Sequence, residues 1–155
     1  MKEPKSILSF AKETIELQAS SIKNLYKLLT KDFEKAVSLI NKTKGRVIVT
    51  GIGKSAIIAQ KIVATFNSTG TPSIFMHAAD AIHGDLGLIQ KNDIIICISK
   101  SGNTPEIKAL VPYIKTTFNK LIAITGETNS YLSEKSDIVI NSYVDAEACP
   151  NNLAP

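Results

Sequence analysis

The sequence predicts an α/β fold in three layers, with a five-stranded parallel sheet between helices. Its 155 residues, 44% of them hydrophobic, are enough for the core of one ordinary domain. After residue 45 come five short apolar runs rich in β-branched residues, and stretches of helical character separate most of them. Strands covered on both faces are apolar throughout rather than alternating, which indicates a parallel sheet. We expect one domain over residues 1–155, with N-terminal helices in 1–44 and an α/β core in 45–155.

Two amphipathic helices are predicted at the start of the chain. Between residues 6 and 29, apolar side chains such as Leu8 and Ile15 recur at a spacing of three and four, which marks one stripe of a helix. A second helix follows Thr30, a suitable N-cap, and we expect Gly45 to close it. Since a lone helix cannot bury its stripe, we expect the first to pack on the sheet or across a dimer interface.

The rest of the chain alternates between strands and helices. Strands are expected at 46–50, 72–76, 93–98, 120–125 and 137–140. Helices are expected at 55–68, 78–85, 105–118 and 130–134. In the third of these, Thr104 suits the N-cap and Pro105 the first helical position. Because no helix follows the last predicted strand, we expect that the C-terminal part of the domain is missing.

Composition excludes several classes of function. No apolar run is long enough to span a bilayer and no signal-peptide core opens the chain, so we expect a cytoplasmic protein with no membrane partner. Lys and Arg exceed Asp and Glu by 18 to 14, but there is no Trp and no basic cluster interleaved with aromatic residues, which argues against nucleic acid. Cys97 and Cys149 are far apart and form neither a disulfide framework nor a metal-ligand pair.

The loop after the first strand is suited to an anion. It reads Thr-Gly-Ile-Gly-Lys-Ser over residues 50–55, with glycines that admit a ligand to the backbone and a helix start that offers N–H groups. A Walker loop would need a glycine where Ile48 stands, so nucleotide hydrolysis is disfavoured. The loop also fits the loose dinucleotide pattern, but residues 73–77 lack the acidic side chain that would hold a ribose, which argues against an oxidoreductase.

The loop after the third strand is the stronger candidate for phosphate. Residues 99–104 read Ser-Lys-Ser-Gly-Asn-Thr and lead into a helix. Three hydroxyls, a permissive glycine and the free N–H groups of a helix N-terminus suit a phosphate. A plain capped turn would use the same residue types. We favour the phosphate interpretation because three hydroxyls surround one glycine.

Residues 98–106 are similar to the phosphosugar-binding signature of SIS domains. Segments 51–55, 68–72, 81–87 and 146–150 resemble arabinose-5-phosphate isomerases, in the same order along the chain. The resemblance implies a SIS fold of the flavodoxin-like type, a phosphosugar substrate and no required cofactor. It also implies a homo-oligomer, a dimer or a tetramer, whose active sites lie near subunit interfaces.

The resemblance further implies individual roles. The catalytic residues would be Lys54, Glu106 and Glu147, which suit proton transfer between adjacent carbons and between the oxygens through an enediol. A surface lysine, a glutamate complementing a helix dipole and a loop glutamate are the alternative interpretations. His77 matches a position that takes a metal, incidental or inhibitory, although one histidine alone makes a poor metal site. The implied substrate-binding residues are Gly53, Ser55, Gly70, Thr71, His83, Ser99, Ser101, Gly102, Asn103 and Thr104.

Departures from the family pattern leave alternatives open. Lys100 stands where close relatives often have asparagine, and Asn103 with Thr104 replaces an acidic-serine pair, so the sugar could differ. Relatives continue past residue 155 with a hydroxyl-rich helix start and a further histidine, often followed by CBS domains. The leading interpretation is an isomerase of D-arabinose 5-phosphate and D-ribulose 5-phosphate that serves octulosonic acid for lipopolysaccharide or capsule. The alternatives are an isomerase of another phosphosugar and a non-catalytic phosphosugar sensor.

Overall fold

The computed structural model describes residues 6–149. Its helices are α1 Ile7–Leu25, α2 Lys31–Lys42, α3 Lys54–Ser68, α4 Ala78–Ile82, α5 Pro105–Thr116 and α6 Tyr131–Lys135. Two 3₁₀ turns, Tyr26–Leu28 and Asp85–Leu88, follow α1 and α4. The strands are β1 Val47–Gly51, β2 Ser73–His77, β3 Ile94–Ile98, β4 Lys120–Thr125 and β5 Ile138–Asn141. The predicted order of elements is confirmed, with most boundaries within a residue or two.

The five strands form one parallel sheet in the order β2-β1-β3-β4-β5. This is the doubly wound, flavodoxin-like order, and its direction of winding changes between β1 and β3. Gly51 at the end of β1 is level with His77 of β2 and Ile98 of β3. The carboxyl ends of three neighbouring strands therefore lie in one row, where ligands of this fold class bind.

Side chains alternate between two cores, one on each face of the sheet. Ile48 of β1 packs with residues of α4, α5 and α6, whereas Val47 and Val49 pack with residues of α2 and α3. All five residues of β1 are buried, as the unbroken apolar pattern predicts. Full burial of one such aliphatic side chain contributes about 1.5–3 kcal/mol, so these two cores are the main stabilising feature.

Two predicted helices end three or four residues early in the structure. The first ends at Leu25 and continues as a 3₁₀ turn instead of reaching residue 29. The helix predicted over 78–85 stops at Ile82, with His83 as its C-cap. Gly84 follows with a φ of 145°, outside helical geometry, and the chain resumes as the Asp85–Leu88 turn. The left-handed φ of this glycine explains the break.

The prediction that Gly45 closes the second helix is wrong. That helix ends at Lys42, and Thr43 caps it in an extended conformation. A β-carbon at residue 45 would overlap the main chain of Asn92 and Asp93. Glycine is required there by the close approach of two chain segments and not by a helix end.

The described chain divides into two compact units, residues 6–28 with 143–149, and residues 29–142. The second unit contains the sheet and also α2, which packs beside β5. In the first unit, Ser6 caps α1 by accepting a hydrogen bond from Ser9 N–H at 3.1 Å. The predicted stripe is exposed on the single chain: Leu8 is 73%, Ile15 65% and Ile22 69% exposed. The dimer interface predicted for this stripe stays a prediction. Within residues 6–149, no helix is long and apolar enough to cross a membrane.

Candidate functional site

Two loops lie side by side at the carboxyl edge of the sheet. One joins β1 to α3 and the other joins β3 to α5, and these two strands are neighbours. A β-carbon at Gly51 would lie 3.1 Å from the carbonyl oxygen of Ile98 and 3.1 Å from that of Ser55. The absence of a side chain at residue 51 therefore lets α3 begin directly above the end of β3.

The loop between β1 and α3 offers backbone N–H groups and a lysine side chain to a ligand. Gly53 is the N-cap of α3, with a φ of 58° that favours glycine and no side chain to cap the helix. The first N–H groups of a helix have no partner within it, so this turn can donate them to an anion. Lys54 is exposed and Ser55 half-buried at the first two helical positions.

In the second loop, hydrogen bonds fix the backbone and leave some hydroxyls for a ligand. Buried Ser99 accepts a hydrogen bond from Gly102 N–H at 3.1 Å, which closes the loop. The Asn103 amide donates to the Ser101 carbonyl oxygen at 3.1 Å and accepts from Tyr131 N–H at 3.2 Å. Ser99 and Asn103 therefore shape the loop, while the exposed Ser101 hydroxyl can donate outward.

Thr104 is the N-cap of α5 and Pro105 its first residue, as predicted, but the threonine side chain makes no capping hydrogen bond. Its Oγ1 is buried and has no hydrogen-bond partner within residues 6–149. A buried unpartnered hydroxyl is costly and uncommon, and such groups are typical of binding sites. This hydroxyl stands beside the free N–H groups of a helix of 12 residues.

Two further buried polar atoms without a partner in the described chain are Thr50 Oγ1 and His77 Nδ1. They belong to the last residues of β1 and β2, whereas Thr104 follows β3, so all three lie towards the same edge of the sheet. Thr50 opens the loop predicted to suit an anion, but the sequence did not single it out as a site residue, because a threonine within a strand is an ordinary β-branched choice. Its burial without a partner is visible only in three dimensions.

The two predicted carboxylates lie in different compact units. Glu106 is the second residue of α5, half-buried in the first helical turn beside the serine loop. Its charge complements the helix dipole there, so structural and catalytic roles are compatible. Glu147 is half-buried in the 143–149 segment of the other unit. The structure therefore brings Lys54 and Glu106 to one edge of the sheet, and the role of Glu147 stays a prediction. Pro150, at the end of the motif that contains it, lies outside the described residues.

The histidines do not assemble a metal centre. His77 Nδ1 is 3.6 Å from Asp80 Oδ2, longer than a hydrogen bond. The His77 ring meets Phe75 edge to face, with centroids 6.2 Å apart. His83 is exposed at the end of α4. No group of three or more His, Cys, Asp or Glu side chains suited to a metal occurs within residues 6–149. Metal binding at His77 stays a prediction.

Gly70 and Thr71 are not brought to this site within the chain. They precede β2, so they lie at the amino-terminal edge of the sheet, about 13–17 Å from the carboxyl edge for a strand of five residues. Gly70 adopts a φ of 89°, and Thr71 N–H donates to the Phe66 carbonyl oxygen at 2.8 Å. This arrangement ends α3, which gives both residues a structural role. Their predicted role in substrate binding stays a prediction, and within one chain they lie at the edge opposite the serine loop.

Cys97 takes no part in nucleophilic chemistry at this edge. Its side chain is completely buried in the core between β3 and the helices above it. Burial raises the pKa of the Cys97 thiol to about 12. A thiol held in the neutral form is neither a nucleophile nor a metal ligand at neutral pH.

Comparisons with known proteins agree with this geometry. The SIS domain family model matches residues 39–155. A probable arabinose 5-phosphate isomerase of Haemophilus influenzae is 43% identical over 96% of this chain and 44% of that protein. The arabinose 5-phosphate isomerase KdsD of Francisella tularensis is 46% identical over 97% of this chain and 47% of that protein. The chain thus spans about half the length of these curated relatives.

A solved structure from Escherichia coli CFT073, in complex with arabinose 5-phosphate, superposes with a TM-score of 0.91. It is 37% identical to this chain and the match covers 96% of this chain and 79% of that one. The family model covers most of the chain, and this structure has the same fold at substantial identity. The chain belongs to the SIS domain family.

Proposed function

We propose that this chain is the catalytic domain of an isomerase that interconverts D-arabinose 5-phosphate and D-ribulose 5-phosphate. The observation that carries the proposal is the unpartnered Thr104 hydroxyl at the N-terminus of α5, beside a loop braced for anion binding. The names of the curated relatives and the sugar-phosphate complex of the structural neighbour support this substrate.

The phosphate group of the substrate would bind in the serine loop. Ser101 and Thr104 supply hydroxyls, α5 supplies backbone N–H groups, and Ser55 contributes from the neighbouring loop. A helix N-terminus favours negative charge through its dipole. This end of the sheet therefore offers neutral donors to a dianion, and the sugar would lie over the row of strand ends.

Isomerisation needs a base that moves a proton between C1 and C2 and an acid that passes a proton between the two oxygens. In this proposal Glu106 and Glu147 share these transfers, and the ammonium group of Lys54 stabilises the negative oxygen of the enediol intermediate. His83 would assist opening of the sugar ring. The reaction neither oxidises nor reduces the substrate overall, so no cofactor is proposed.

We also propose a pathway and a location for the enzyme. It would act in the cytoplasm, and its product would be used to synthesise octulosonic acid for lipopolysaccharide or capsule. We further propose a homo-oligomer, because an exposed apolar stripe on α1 is a surface that a second subunit can cover. Light scattering that found only monomer at micromolar concentration would contradict this part.

The test is a coupled assay of the full-length protein against a panel of pentose and hexose phosphates. We expect turnover of D-arabinose 5-phosphate and D-ribulose 5-phosphate well above that of every other sugar phosphate. Faster turnover of a different aldose–ketose pair would support the isomerase activity but show that the proposed substrate is wrong. Tight binding of a phosphosugar without turnover would identify a sensor and overturn the proposal.

A further inference from the structure

Phe118 is an anomaly at the edge of the sheet opposite the candidate site. Its φ is 57°, a left-handed conformation in which the residue after a helix is usually glycine. Its side chain is 94% exposed, so no packing within residues 6–149 accounts for the phenylalanine. An aromatic residue that is both strained and solvent-exposed is typical of a surface that meets another molecule.

Four lysines line the same groove as this aromatic side chain. Phe118 borders a groove of about 680 Å³ at the amino-terminal edge of the sheet, together with Lys42, Lys44, Lys91 and Lys120. Lys120 pairs with Asp137 at 2.8 Å, whereas the other three make no ion pair within residues 6–149. We define Phe118 with Lys42, Lys44 and Lys91 as the basic–aromatic surface.

In the described part of the chain, the acidic side chain that lines this groove does not neutralise the surface. Asp93 also lines the groove, but it is buried and its carboxylate pairs with Arg46 at 2.7 Å. Lys42 belongs to the last turn of α2, where it also complements the helix dipole. That local role does not explain Lys44 and Lys91, which lie in loops. The net charge of the surface is positive and its protruding group is aromatic.

We propose that the basic–aromatic surface docks an acidic segment of a partner protein, one with a large apolar residue among its carboxylates. The aromatic ring would pack against the apolar residue of the segment, and the lysines would favour a segment with negative charge. The site is independent of the proposed function, because it lies a full strand length from the serine loop.

Two other occupants fit less well. A compact phosphate ligand prefers helix N-termini, but α2 and α5 both point their C-terminal ends towards this edge, and their carbonyl groups repel a concentrated dianion. A second copy of this chain that used the same surface would bring like charges together. Carboxylates that are spread along a segment can each pair with a separate lysine. Such a segment neither concentrates its negative charge at the helix C-termini nor brings like charges together.

The test measures fluorescence anisotropy of a labelled glutamate-rich peptide with a central pair of leucines. Phe118→Gly should weaken its binding about tenfold or more, as expected for loss of a hot-spot residue. It should not lower the melting temperature, since glycine adopts this φ readily. Lys44→Gln with Lys91→Gln should also weaken binding, and added salt should weaken it further. A matched control is Lys61→Gln with Lys108→Gln, which changes two exposed lysines elsewhere and should bind like the wild type.

Several outcomes would overturn the proposal. These are undetectable binding of the peptide to the wild type, equal affinity of the Phe118→Gly variant, and equal affinity for a peptide whose leucines are replaced by serine. Binding of ATP that depends on Phe118, without peptide binding, would reassign the surface to a nucleotide. A dimer in light scattering that Phe118→Gly dissociates would reassign it to a second copy. Turnover of sugar phosphates should be unchanged in all these variants, which separates this test from that of the proposed function.

Discussion

Gly102 packs so closely on Ser130 that a β-carbon at residue 102 would overlap the serine side chain. The contact joins the loop after β3 to the loop after β4. Two hydrogen bonds reinforce it: Leu132 N–H donates to the Gly102 carbonyl oxygen and Gly126 N–H donates to that of Lys100, both at 3.0 Å. The loop that we assign to phosphate is therefore held in place from the adjacent strand before any ligand binds.

Gly102→Ala should damage the loop in two ways. The residue has a φ of 62°, which costs a side-chain-bearing residue about 1–2 kcal/mol, and the new methyl group would clash with Ser130. We expect a lower melting temperature and a higher KM for the sugar phosphate. Gly87→Ala is the matched control, since a β-carbon there meets open space. Equal effects of the two substitutions would show that the contact does not hold the loop.

Thr104→Val should separate binding from stability. Its hydroxyl is buried without a partner, so replacing it with a methyl group should leave the melting temperature unchanged or raise it. Loss of a hydrogen bond to a charged phosphate costs about 1.5–3 kcal/mol, so KM should rise about tenfold or more. Thr104→Ser keeps the hydroxyl and should retain most of the affinity. An unchanged KM in the valine variant would remove Thr104 from the phosphate site.

The exposed Ser101 hydroxyl is also predicted to bind the phosphate. Ser101→Ala should mainly weaken substrate binding, again with KM rising about tenfold or more. The serine also accepts a hydrogen bond from Asn103 N–H at 3.3 Å, so a small loss of loop order is expected too. An unchanged KM in steady-state kinetics would contradict the assignment of Ser101 to the phosphate site.

Lys54→Ala should lower turnover and leave the protein folded. The lysine is exposed at the first turn of α3, and alanine is a good helix former, so no loss of stability is expected. A group that stabilises charge in the transition state typically contributes about 10²–10³-fold to kcat. Lys61→Ala, farther along the same helix and also exposed, is the control. Near-normal kcat for Lys54→Ala would exclude this residue from the mechanism.

Asp93 makes stability depend on pH. Burial alone would raise the pKa of Asp93, but hydrogen bonds from the Arg46 side chain and from the N–H groups of Arg46 and Gln90 outweigh it, and the pKa lies below its usual value. A carboxyl whose pKa is lowered by folding stabilises the protein above its unfolded pKa of about 3.9. That contribution is lost as the pH falls through the lower, folded pKa.

Asp93→Asn should therefore reduce the free energy of unfolding at pH 7 by about 1.5–3 kcal/mol, the value of hydrogen bonds to a charged group. The difference from the wild type should shrink as the pH is lowered below about 4. Urea unfolding at a series of pH values would measure both. Asp145→Asn, at an exposed position, should change little. A difference that stayed constant down to low pH would mean that the charge of Asp93 is not what stabilises the fold.

The strands were predictable because each is a short apolar run, and their burial in the structure is what such runs require. Gly45 was misassigned because a glycine after a helix normally ends it, and only the fold reveals the main chain of Asn92 against it.

The candidate site was predictable in its loops and less so in its details. The hydroxyl pattern located the serine loop, but it could not distinguish Ser99 and Asn103, which brace the loop, from Thr104, whose hydroxyl is left for a ligand. Similarity to relatives assigned Gly70 a role in substrate binding, which stays a prediction, but it could not show that the direction of β2 puts this glycine at the edge opposite the serine loop. Residue spacing in the sequence predicts neither of these differences, since both depend on which atoms lie in contact after folding.

The most direct test of the proposed function follows D-arabinose 5-phosphate with the full-length protein in D₂O by nuclear magnetic resonance. An isomerase that works through an enediol should convert the aldose to D-ribulose 5-phosphate and bring solvent deuterium into the carbon positions that exchange protons. The Lys54→Ala variant should bind the sugar phosphate and convert it far more slowly. Calorimetric binding of D-arabinose 5-phosphate to the wild type, with neither conversion nor deuterium exchange, would contradict the account.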